Sequence, residues 1–259
     1  MNWPQRCDSE LMISSWCPPP ASVNPGKEEV HLWLADQDDP KLDPEAQILI
    51  LSKSERNRAA RFHFPLHRGR FIRRRVFLRC VLSSYLRRAP EALAVALDRY
   101  GKPFIRSPAP ISFNLSHSGQ WALLAVAAGI NVGVDIEQIR HGIRTEAIAR
   151  RFFSPREQQD LFRVPSPQRE GAFFSAWTRK EAYVKARGVG LSIPLDQFSV
   201  TLLPGTPSAL LEADTDGGSS LDWRLIDLTV KPGFAAALAV RGRVRQLKCW
   251  IWPGIRGQD

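Results

Sequence analysis

The sequence predicts a mixed α/β protein, because segments with helical character and segments with strand character both occur along its 259 residues. Residues 173–186 contain no Gly or Pro, good helix formers dominate, and Gly188 follows as a C-terminal stop, which predicts a helix. The run 130–137 is largely apolar and β-branched, which is typical of a buried strand. Apolar residues recur at helical spacing over residues 66–86, which predicts a second, amphipathic helix.

The composition is that of an ordinary globular protein, with 44% apolar and 24% charged residues. A chain of this length can bury a sizeable core, as one large domain or two small ones. No apolar run approaches the roughly 20 residues that span a bilayer, and residues 1–20 show no signal-peptide pattern. Four scattered cysteines without Cys-x-x-Cys spacing favour neither a zinc site nor a disulfide framework. We therefore expect a cytoplasmic protein with no membrane partner.

The chain is strongly basic, with a net charge of +10 and a pI near 9.9. This charge predicts an anionic partner, which could be nucleic acid, a phosphate-rich ligand or an acidic protein. A dense set of arginines lies over residues 56–88, interleaved with the apolar positions of the predicted amphipathic helix. Those side chains either form a solvated basic face or hold an anion.

Taken in order, the chain begins with residues 1–27, which are rich in Pro and polar residues and are expected to form a loosely ordered extension. Asp43 and Pro44 indicate a helix that runs toward Arg61. The apolar strand 121–128 is expected to form a hairpin with the strand 130–137. Further strands are predicted at 30–34, 93–97, 111–115, 198–203, 221–227, 234–240 and 247–252, with a loop at 214–220. Further helices are predicted at 145–151, from Ser154 with its Ser-Pro-Arg-Glu capping sequence, and from about residue 168 onward.

Two pairs of charged residues stand out in this pattern. Glu181 and Lys185 lie one turn apart on one face of the predicted helix, and Asp135 and Glu137 point to the same side of the predicted strand. Each pair can be an ordinary solvated feature. If the carboxylates are close together and partly buried, their repulsion raises a pKa or requires a cation. Oxygen ligands without His or Cys favour a hard ion, Mg²⁺ rather than Zn²⁺.

A Gly-Val-Asp-Ile-Glu strand, followed about forty residues later by Trp-x-x-Lys-Glu-Ala-x-x-Lys, resembles the paired signature of the 4′-phosphopantetheinyl transferases, in particular the longer, single-chain, surfactin-synthetase-activating (Sfp) type. The likeness runs from about residue 54 to residue 200, and several separate motifs in order are far more specific than any one alone. The matching segments are 100–103 (YGKP), 113–119 (FNLSHSG), 133–137 (GVDIE), 177–185 (WTRKEAYVK) and 188–195 (GVGLSIPL).

The resemblance implies a pseudo-dimer of two similar α/β halves in one chain. We place the first half at residues 28–130 and the second, which carries the metal site, at residues 131–259. A short echo sits where such a duplication would put it, with Arg-Phe-His-Phe-Pro at 61–65 and Arg-Phe-Phe-Ser-Pro at 151–155. A five-residue echo alone would not prove duplication. A monomer is expected.

The resemblance also implies an activity, which is transfer of the 4′-phosphopantetheine arm of coenzyme A to a serine of an apo acyl or peptidyl carrier protein, with release of adenosine 3′,5′-bisphosphate. Asp135, Glu137 and Glu181 would then hold Mg²⁺, and Glu181 is also the candidate base that takes the serine proton, either directly or through a metal-bound water. Lys185 would contact the pyrophosphate. The remaining phosphate contacts would come from Arg58, Lys102, Ser116 and His117. Lys180 and Trp177 belong to the motif and are expected to be mainly structural, and solvation is the default for Arg73–Arg75.

Segment 138–144 leaves the strand of Asp135 directly, so it must lie near the reacting phosphate. It offers two isoleucines beside Arg140 and Arg144, a composition that suits a small transient interface with an acidic carrier protein. The alternative for this segment is an ordinary surface loop.

The main alternative is a nucleic-acid-binding protein that uses the arginine-rich helix, which explains the basic pI but leaves the three carboxylates unexplained. A further alternative is an inactive relative that serves as an interaction protein. Ser116 and His117 do not indicate a serine hydrolase, because adjacent residues on extended backbone face apart and no Gly-x-Ser-x-Gly sequence is present.

Overall fold

A computed structural model describes residues 11–99, 101–105, 111–188, 193–213 and 219–254. The predictions at Tyr100, in the glycine-rich stretch 189–192 and at the loop tip 214–218 lie outside the described residues. The strands in chain order are β1 (Met12–Ile13), β2 (Glu29–Asp36), β3 (Val95–Leu97), β4 (Pro103–Ile105), β5 (Ile111–Ser118), β6 (Trp121–Ala128), β7 (Val132–Gln138), β8 (Phe198–Val200), β9 (Leu210–Ala213), β10 (Trp223–Asp227), β11 (Phe234–Arg241) and β12 (Gln246–Ile251). The α-helices are α1 (Lys53–Ala59), α2 (Pro65–Leu86), α3 (Thr145–Phe152), α4 (Pro155–Arg163) and α5 (Ser166–Arg187).

Two sheets lie face to face between the two long helices. The first sheet has the strand order β1-β12-β2-β6-β5 and the second has the order β10-β11-β7. A shared core fills the space between them, while α2 packs on the outer face of the first sheet and α5 on the outer face of the second. Central strands are therefore buried on both faces, which explains their continuous apolar runs. The predicted α/β architecture is confirmed.

The long helices begin and end where the sequence signals place them. Pro65 occupies the first turn of α2, and Gly188 ends α5 in the left-handed conformation at φ 69°. Ser154 and Glu157 form the predicted capping box of α4. No helix among the described residues is both long and apolar enough to cross a membrane.

The predicted helix from Asp43 to Arg61 is wrong. The Asp43 carboxylate accepts a hydrogen bond from the Glu45 amide and forms a turn, and only a short 3-10 helix follows at Ile48–Ile50. Ser52 is extended and forms a capping box with Glu55, so α1 begins only at Lys53. A side-chain cap competes with helix continuation because it satisfies the free amides of a new first turn.

The predicted hairpin of β6 with β7 is also wrong. Gly119 and Gln120 form a two-residue turn between β5 and β6, which pair in register from Ser118 opposite Trp121. Gly119 has φ 55°, the left-handed conformation that a tight hairpin requires. After Gly129 the chain passes into the second sheet, where β7 pairs antiparallel with β11.

The ends of the chain meet in the first sheet. β12 lies parallel to β2, and Met12–Ile13 adds a parallel edge strand on the other side of β12. Beyond β1, Cys17 forms an isolated parallel β-bridge with Trp250 of β12. Strands β1, β4 and β9 were not predicted from the sequence, because two to four residues carry too little periodicity to be recognised.

Strand β7 lies directly on helix α5 at one glycine. A Cβ atom on Gly133 would come within 2.2 Å of the Ala182 carbonyl oxygen and 2.3 Å of the Ala186 amide nitrogen. Both neighbours are backbone atoms of a helix and cannot turn aside. Glycine on the strand allows this approach, and the approach places Asp135 next to the helix that carries Glu181 and Lys185.

A buried ion pair between Lys180 and Glu157 connects α5 to α4 and β8. Lys180 Nζ donates to both carboxylate oxygens of Glu157 at 2.7 Å and to the Phe198 carbonyl at 2.6 Å. Glu157 also accepts from the backbone amides of Ser154 and Val200, each at 2.8 Å. Lys180 and Glu157 are fully buried. The structural role expected for Lys180 follows from these bonds.

We predict that Gly133→Ala destabilises the fold by about 3 kcal/mol or more, at the upper end of overpacking costs, because the new methyl meets helix backbone. Gly171→Ala is the matched control, since a Cβ there meets nothing within 4 Å and a helical Gly→Ala change stabilises by up to about 1 kcal/mol. Urea denaturation measures both. Equal stability of the two variants would contradict the close packing described for β7.

We predict that Lys180→Met lowers the free energy of unfolding by about 3–5 kcal/mol, because it leaves Glu157 buried without its cation. Lys53→Met on the exposed side of α1 should change it by less than about 0.5 kcal/mol. Thermal unfolding at matched protein concentration compares the two. A Lys180→Met protein as stable as the control would show that the pair contributes nothing.

Candidate active site

Alternate side chains of β5 bond to β7 and join the two sheets at one edge. The Asn114 side-chain oxygen accepts from the Val134 amide at 2.8 Å, and the Ser116 hydroxyl donates to Asp135 Oδ1 at 2.8 Å. Because residues two apart on a strand share a face, β5 presents these groups to β7 in a row. The β5 side chains therefore fix where the β7 carboxylates lie.

Ser118 extends this row by one step. Its hydroxyl donates to Glu137 Oε2 at 2.7 Å and accepts from the Gln138 amide at 3.0 Å. The amide occupies the acceptor side of the hydroxyl, so the hydroxyl proton points to the carboxylate. Ser118 was missed in the sequence analysis, although its two-residue spacing from Ser116 was a usable signal.

Asp135 is the most buried acid of the site, at 2% exposure. Its Oδ1 atom accepts from Ser116 and from Lys185 Nζ, the latter at 2.5 Å, and Lys185 Nζ lies 3.0 Å from the Ser116 oxygen. Its Oδ2 atom is buried and has no hydrogen-bond partner among the residues that the structure describes. A buried carboxylate oxygen without a donor is costly, which suits an atom that binds a cation.

The other two acids are partly buried beside Asp135. Burial raises the pKa of Glu137, and the negative charge of Asp135 raises it further, while a hydrogen bond from Ser118 lowers it. Burial likewise raises the pKa of Glu181, with Lys185 lowering it and Asp135 and Glu137 raising it. The three predicted acids therefore repel one another in one region, as closely placed carboxylates do.

One cavity of about 330 Å³ collects most of the predicted site. Strands β5 and β7 form one wall and helix α5 forms the other. Leu115 and Trp177 contribute the apolar part of its lining, and Trp177 also packs on the core of the second half. The polar lining consists of Ser116, His117, Asp135, Glu137, Glu181 and Lys185.

His117 stands at the cavity among positive charges. Burial lowers the pKa of His117 to about 4, and the positive charges of Arg74, Lys185 and Arg75 lower it further. The imidazole is therefore neutral at neutral pH in the free protein and can donate one hydrogen bond to an anion.

Lys102 lies beside the cavity but is already bonded. Its Nζ atom donates to the Lys185 carbonyl oxygen at 2.6 Å, in the last turn of α5, where a cation is favourable. Burial lowers the pKa of Lys102. The structure thus joins Lys102 to the helix that carries Glu181 and Lys185.

Arg58 lies in the first half, along a separate and larger cavity. That cavity has a volume of about 650 Å³ and is lined by Ser54, Asn57, Arg58, Arg61 and Phe62. The Arg58 guanidinium carbon lies 5.5 Å from the centre of the Phe71 ring. Arg58 is the one predicted phosphate contact that neither lines the cavity between β5, β7 and α5 nor bonds to a residue that does.

The arginines that were expected to be solvated are engaged in contacts. Arg73 donates to the carbonyl oxygens of Leu42 and Gln37, Arg74 donates to the Gln37 side chain, and Arg75 lies 3.6 Å from a carboxylate oxygen of Glu55. A charged run read from the sequence alone does not reveal these long-range partners.

The donor set of the three acids suits a hard cation, since it offers only carboxylate oxygens and includes the unpartnered Asp135 Oδ2. In the described part of the chain, however, no three His, Cys, Asp or Glu side chains are gathered closely enough to hold a metal ion. The ammonium group of Lys185 lies against Asp135 instead. The residues fit Mg²⁺ by charge and chemistry, and a three-carboxylate site remains a proposal.

The chain is similar to known proteins over most of its length. A family model described as "4'-phosphopantetheinyl transferase superfamily" matches residues 131–239, and one described as "4'-phosphopantetheinyl transferase, N-terminal" matches residues 40–129. The 4'-phosphopantetheinyl transferase HetI of Nostoc sp. is 36% identical over 243 residues, which cover 93% of this chain and 99% of that protein.

Two further comparisons cover less of the chain. The 4'-phosphopantetheinyl transferase Sfp of Bacillus subtilis is 35% identical over 153 residues, 59% of this chain and 67% of that protein. The crystal structure of Thermotoga maritima holo-(acyl-carrier-protein) synthase superposes with a TM-score of 0.34 and 21% identity, over 44% of this chain and 64% of that chain. The similarity to HetI extends over nearly the full length of both proteins. The chain therefore belongs to the Sfp-type 4′-phosphopantetheinyl transferases and is an enzyme of that transferase class.

Proposed function

We propose that this enzyme transfers 4′-phosphopantetheine from coenzyme A to a serine of an apo acyl or peptidyl carrier protein, with Mg²⁺, and releases adenosine 3′,5′-bisphosphate. The observation that carries the proposal is the single cavity in which Asp135, Glu181, Lys185 and His117 converge. Transfer of this group breaks a pyrophosphate, so the site must bind anionic oxygens, neutralise the leaving phosphate and accept a proton.

In the proposed reaction the carrier serine oxygen attacks the phosphorus that bears the pantetheine arm. The bond from that phosphorus to the bridging oxygen breaks, and adenosine 3′,5′-bisphosphate leaves with the electron pair. The serine proton passes to a base, for which Glu181 is the candidate. Burial raises the pKa of Glu181, and a carboxylate of raised pKa is a stronger base once it is ionised.

Lys185 supplies positive charge for the pyrophosphate, and the neutral imidazole of His117 supplies a hydrogen bond; both residues line the same cavity. Lys185 Nζ lies against the Ser116 hydroxyl and Asp135 at the edge of this cavity, and its flexible side chain is proposed to contact the pyrophosphate. Mg²⁺ held by Asp135, Glu137 and Glu181 would supply Lewis-acid neutralisation of the pyrophosphate.

The carrier protein is proposed to dock on segment 138–144. Arg140 and Arg144 are exposed, whereas Ile139 and Ile143 are half-buried and pack on the core beneath α5. Glu170 of α5 accepts from the Gly142 amide at 3.0 Å and anchors the loop. The loop therefore offers mainly its arginines to a partner, and fewer apolar contacts than the sequence suggested.

The arginine-rich helix gives less support to the nucleic-acid alternative. Arg70 pairs with Asp38, and Arg79 is buried against Glu55 and the carbonyls of Pro90 and Leu93. These internal bonds use donors that a nucleic-acid surface would need. A cytoplasmic location and a monomeric state remain predictions.

Intact mass tests the proposed reaction directly. The enzyme, coenzyme A and Mg²⁺ are incubated with apo acyl and peptidyl carrier proteins, and we expect the mass of one 4′-phosphopantetheine arm to be added. Asp135→Ala should lose nearly all transfer while it stays folded, because charge neutralisation at the leaving group is removed. Near-wild-type turnover in that variant would refute the role of Asp135, and no transfer by the wild type to any carrier would refute the proposal.

Docking is tested by charge reversal. Arg140→Glu combined with Arg144→Glu should raise the apparent KM for the carrier protein and leave that for coenzyme A nearly unchanged, because like charges then meet at the carrier's acidic surface. Arg87→Glu combined with Arg88→Glu makes the same charge change on exposed residues after α2 and serves as control. If both double variants raised the KM for the carrier protein equally, docking would lie elsewhere. The same would follow if Arg140→Glu with Arg144→Glu changed the KM values for carrier protein and coenzyme A equally.

A further inference from the structure

The two carboxylates of β7 are each bonded to a hydroxyl of β5 through one oxygen only. Ser116 donates to Asp135 Oδ1 at 2.8 Å, and Ser118 donates to Glu137 Oε2 at 2.7 Å. The second oxygens, Asp135 Oδ2 and Glu137 Oε1, accept no hydrogen bond from any residue that the structure describes. Each carboxylate therefore has one bonded oxygen and one oxygen that is available to a ligand.

The orientation of Glu137 depends on Ser118. Asp135 is bonded by Lys185 as well as by Ser116, whereas Ser118 is the one side chain in the described part of the chain that donates to the Glu137 carboxylate. Glu137 is half-buried and lies one residue before the end of β7. Its side chain is therefore held in place by a single hydrogen bond.

Ser118 is itself fixed in position. It is buried, at 6% exposure, and its oxygen accepts from the Gln138 amide at 3.0 Å. Because a seryl hydroxyl has one proton to donate, and the amide occupies the acceptor side, that proton goes to Glu137. Ser118 thus holds the Glu137 carboxylate and the backbone amide that directly follows Glu137.

Mg²⁺ and Ca²⁺ differ in the carboxylate geometry that they prefer. Mg²⁺ is small, requires near-ideal octahedral geometry and usually keeps several waters beside its carboxylate ligands. Ca²⁺ accepts about six to eight oxygens in flexible geometry and often takes both oxygens of one carboxylate. A carboxylate with one oxygen bonded to a hydroxyl offers a cation its other oxygen, which is the arrangement that suits Mg²⁺.

We propose that Ser118 is a positioning residue that makes the site selective for Mg²⁺ over Ca²⁺, because it holds Glu137 so that one carboxylate oxygen faces the metal. The inference rests on the proposed function, in which Asp135, Glu137 and Glu181 hold Mg²⁺. Hydrogen bonds to ligating carboxylates orient them for the metal. Without the Ser118 hydroxyl, Glu137 is free to turn and to offer both oxygens, which suits the larger ion.

The test is calorimetric titration of MgCl₂ and of CaCl₂ into enzyme saturated with coenzyme A, without carrier protein, so that no transfer occurs. Ser118→Ala is expected to weaken Mg²⁺ binding by about 10- to 100-fold, the range for a lost partner of a metal ligand. Ca²⁺ binding should change by less than about threefold, because flexible carboxylates suit this ion. The measured quantity is the ratio of the two Kd values, compared with that of wild type.

Ser112→Ala is the matched control. Ser112 lies on the same face of β5 as Ser118, and within the described ranges its side chain makes no hydrogen bond. The control should bind both cations as wild type does. An equal change in Ser112→Ala would overturn the inference, as would equal weakening of both cations by Ser118→Ala, no weakening of either, or a wild type that binds Ca²⁺ as tightly as Mg²⁺.

A second comparison separates positioning from direct ligation of the metal. In a Glu137→Ala background, Ser118→Ala should cause no further loss of Mg²⁺ affinity, because Ser118 acts through Glu137 and residues that act together are not additive. A further loss of the same size in that background would make Ser118 a metal ligand itself and would overturn the inference.

Thermal unfolding of the metal-free proteins shows whether the variants are folded. Ser118→Ala leaves the Gln138 amide without its acceptor, so Ser118→Cys, which keeps the shape with a weaker donor, replaces it if it does not fold, and the same loss of selectivity is expected. If wild type binds no Mg²⁺ and transfers no arm, the proposed function fails. If wild type binds Mg²⁺ and transfers, but the Ser118 variants keep its preference for Mg²⁺, only this inference fails.

Discussion

The site depends on the close approach of β7 to α5 at Gly133. Because the strand carries no side chain there, the helix backbone at Ala182 and Ala186 comes almost into contact with it. The next residue on the same face is Asp135, which then meets Lys185 one turn along the helix. A larger residue at Gly133 would move the strand away from the helix and separate the acids from the cation, whatever the identity of the catalytic side chains.

The two halves of the chain make different contributions around this contact. The second half supplies the carboxylates and Lys185, from β7 and α5. The first half supplies hydroxyls and the neutral imidazole of His117 from β5. Ser116 and Ser118 connect the halves, since each donates from β5 to an acid on β7. The polar lining of the cavity therefore comes from both halves of the chain.

Two lysines of the same motif have different roles because they lie on different faces of α5. Lys180 points into the core, where Glu157 and the Phe198 carbonyl surround its ammonium group. Lys185 lies at the cavity and remains partly exposed. The two lysines are five positions apart on α5. With about 3.6 residues per turn, this spacing places their side chains on different faces of the helix. The sequence motif alone does not show that Lys180 lies in the core and Lys185 at the cavity.

The sequence by itself determined the long helices, their caps, the two-sided burial of the central strands and the shared faces of Asp135 with Glu137 and of Glu181 with Lys185. These features depend on local periodicity and on capping residues, which act within a few positions of the chain. Only the tertiary structure decided that β6 and β7 belong to different sheets, that Lys102 bonds to the end of α5, and that Arg74 bonds to Gln37. Strand pairing and the partners of long charged side chains are long-range choices, set by which sheets and helices pack together, and no local pattern encodes them.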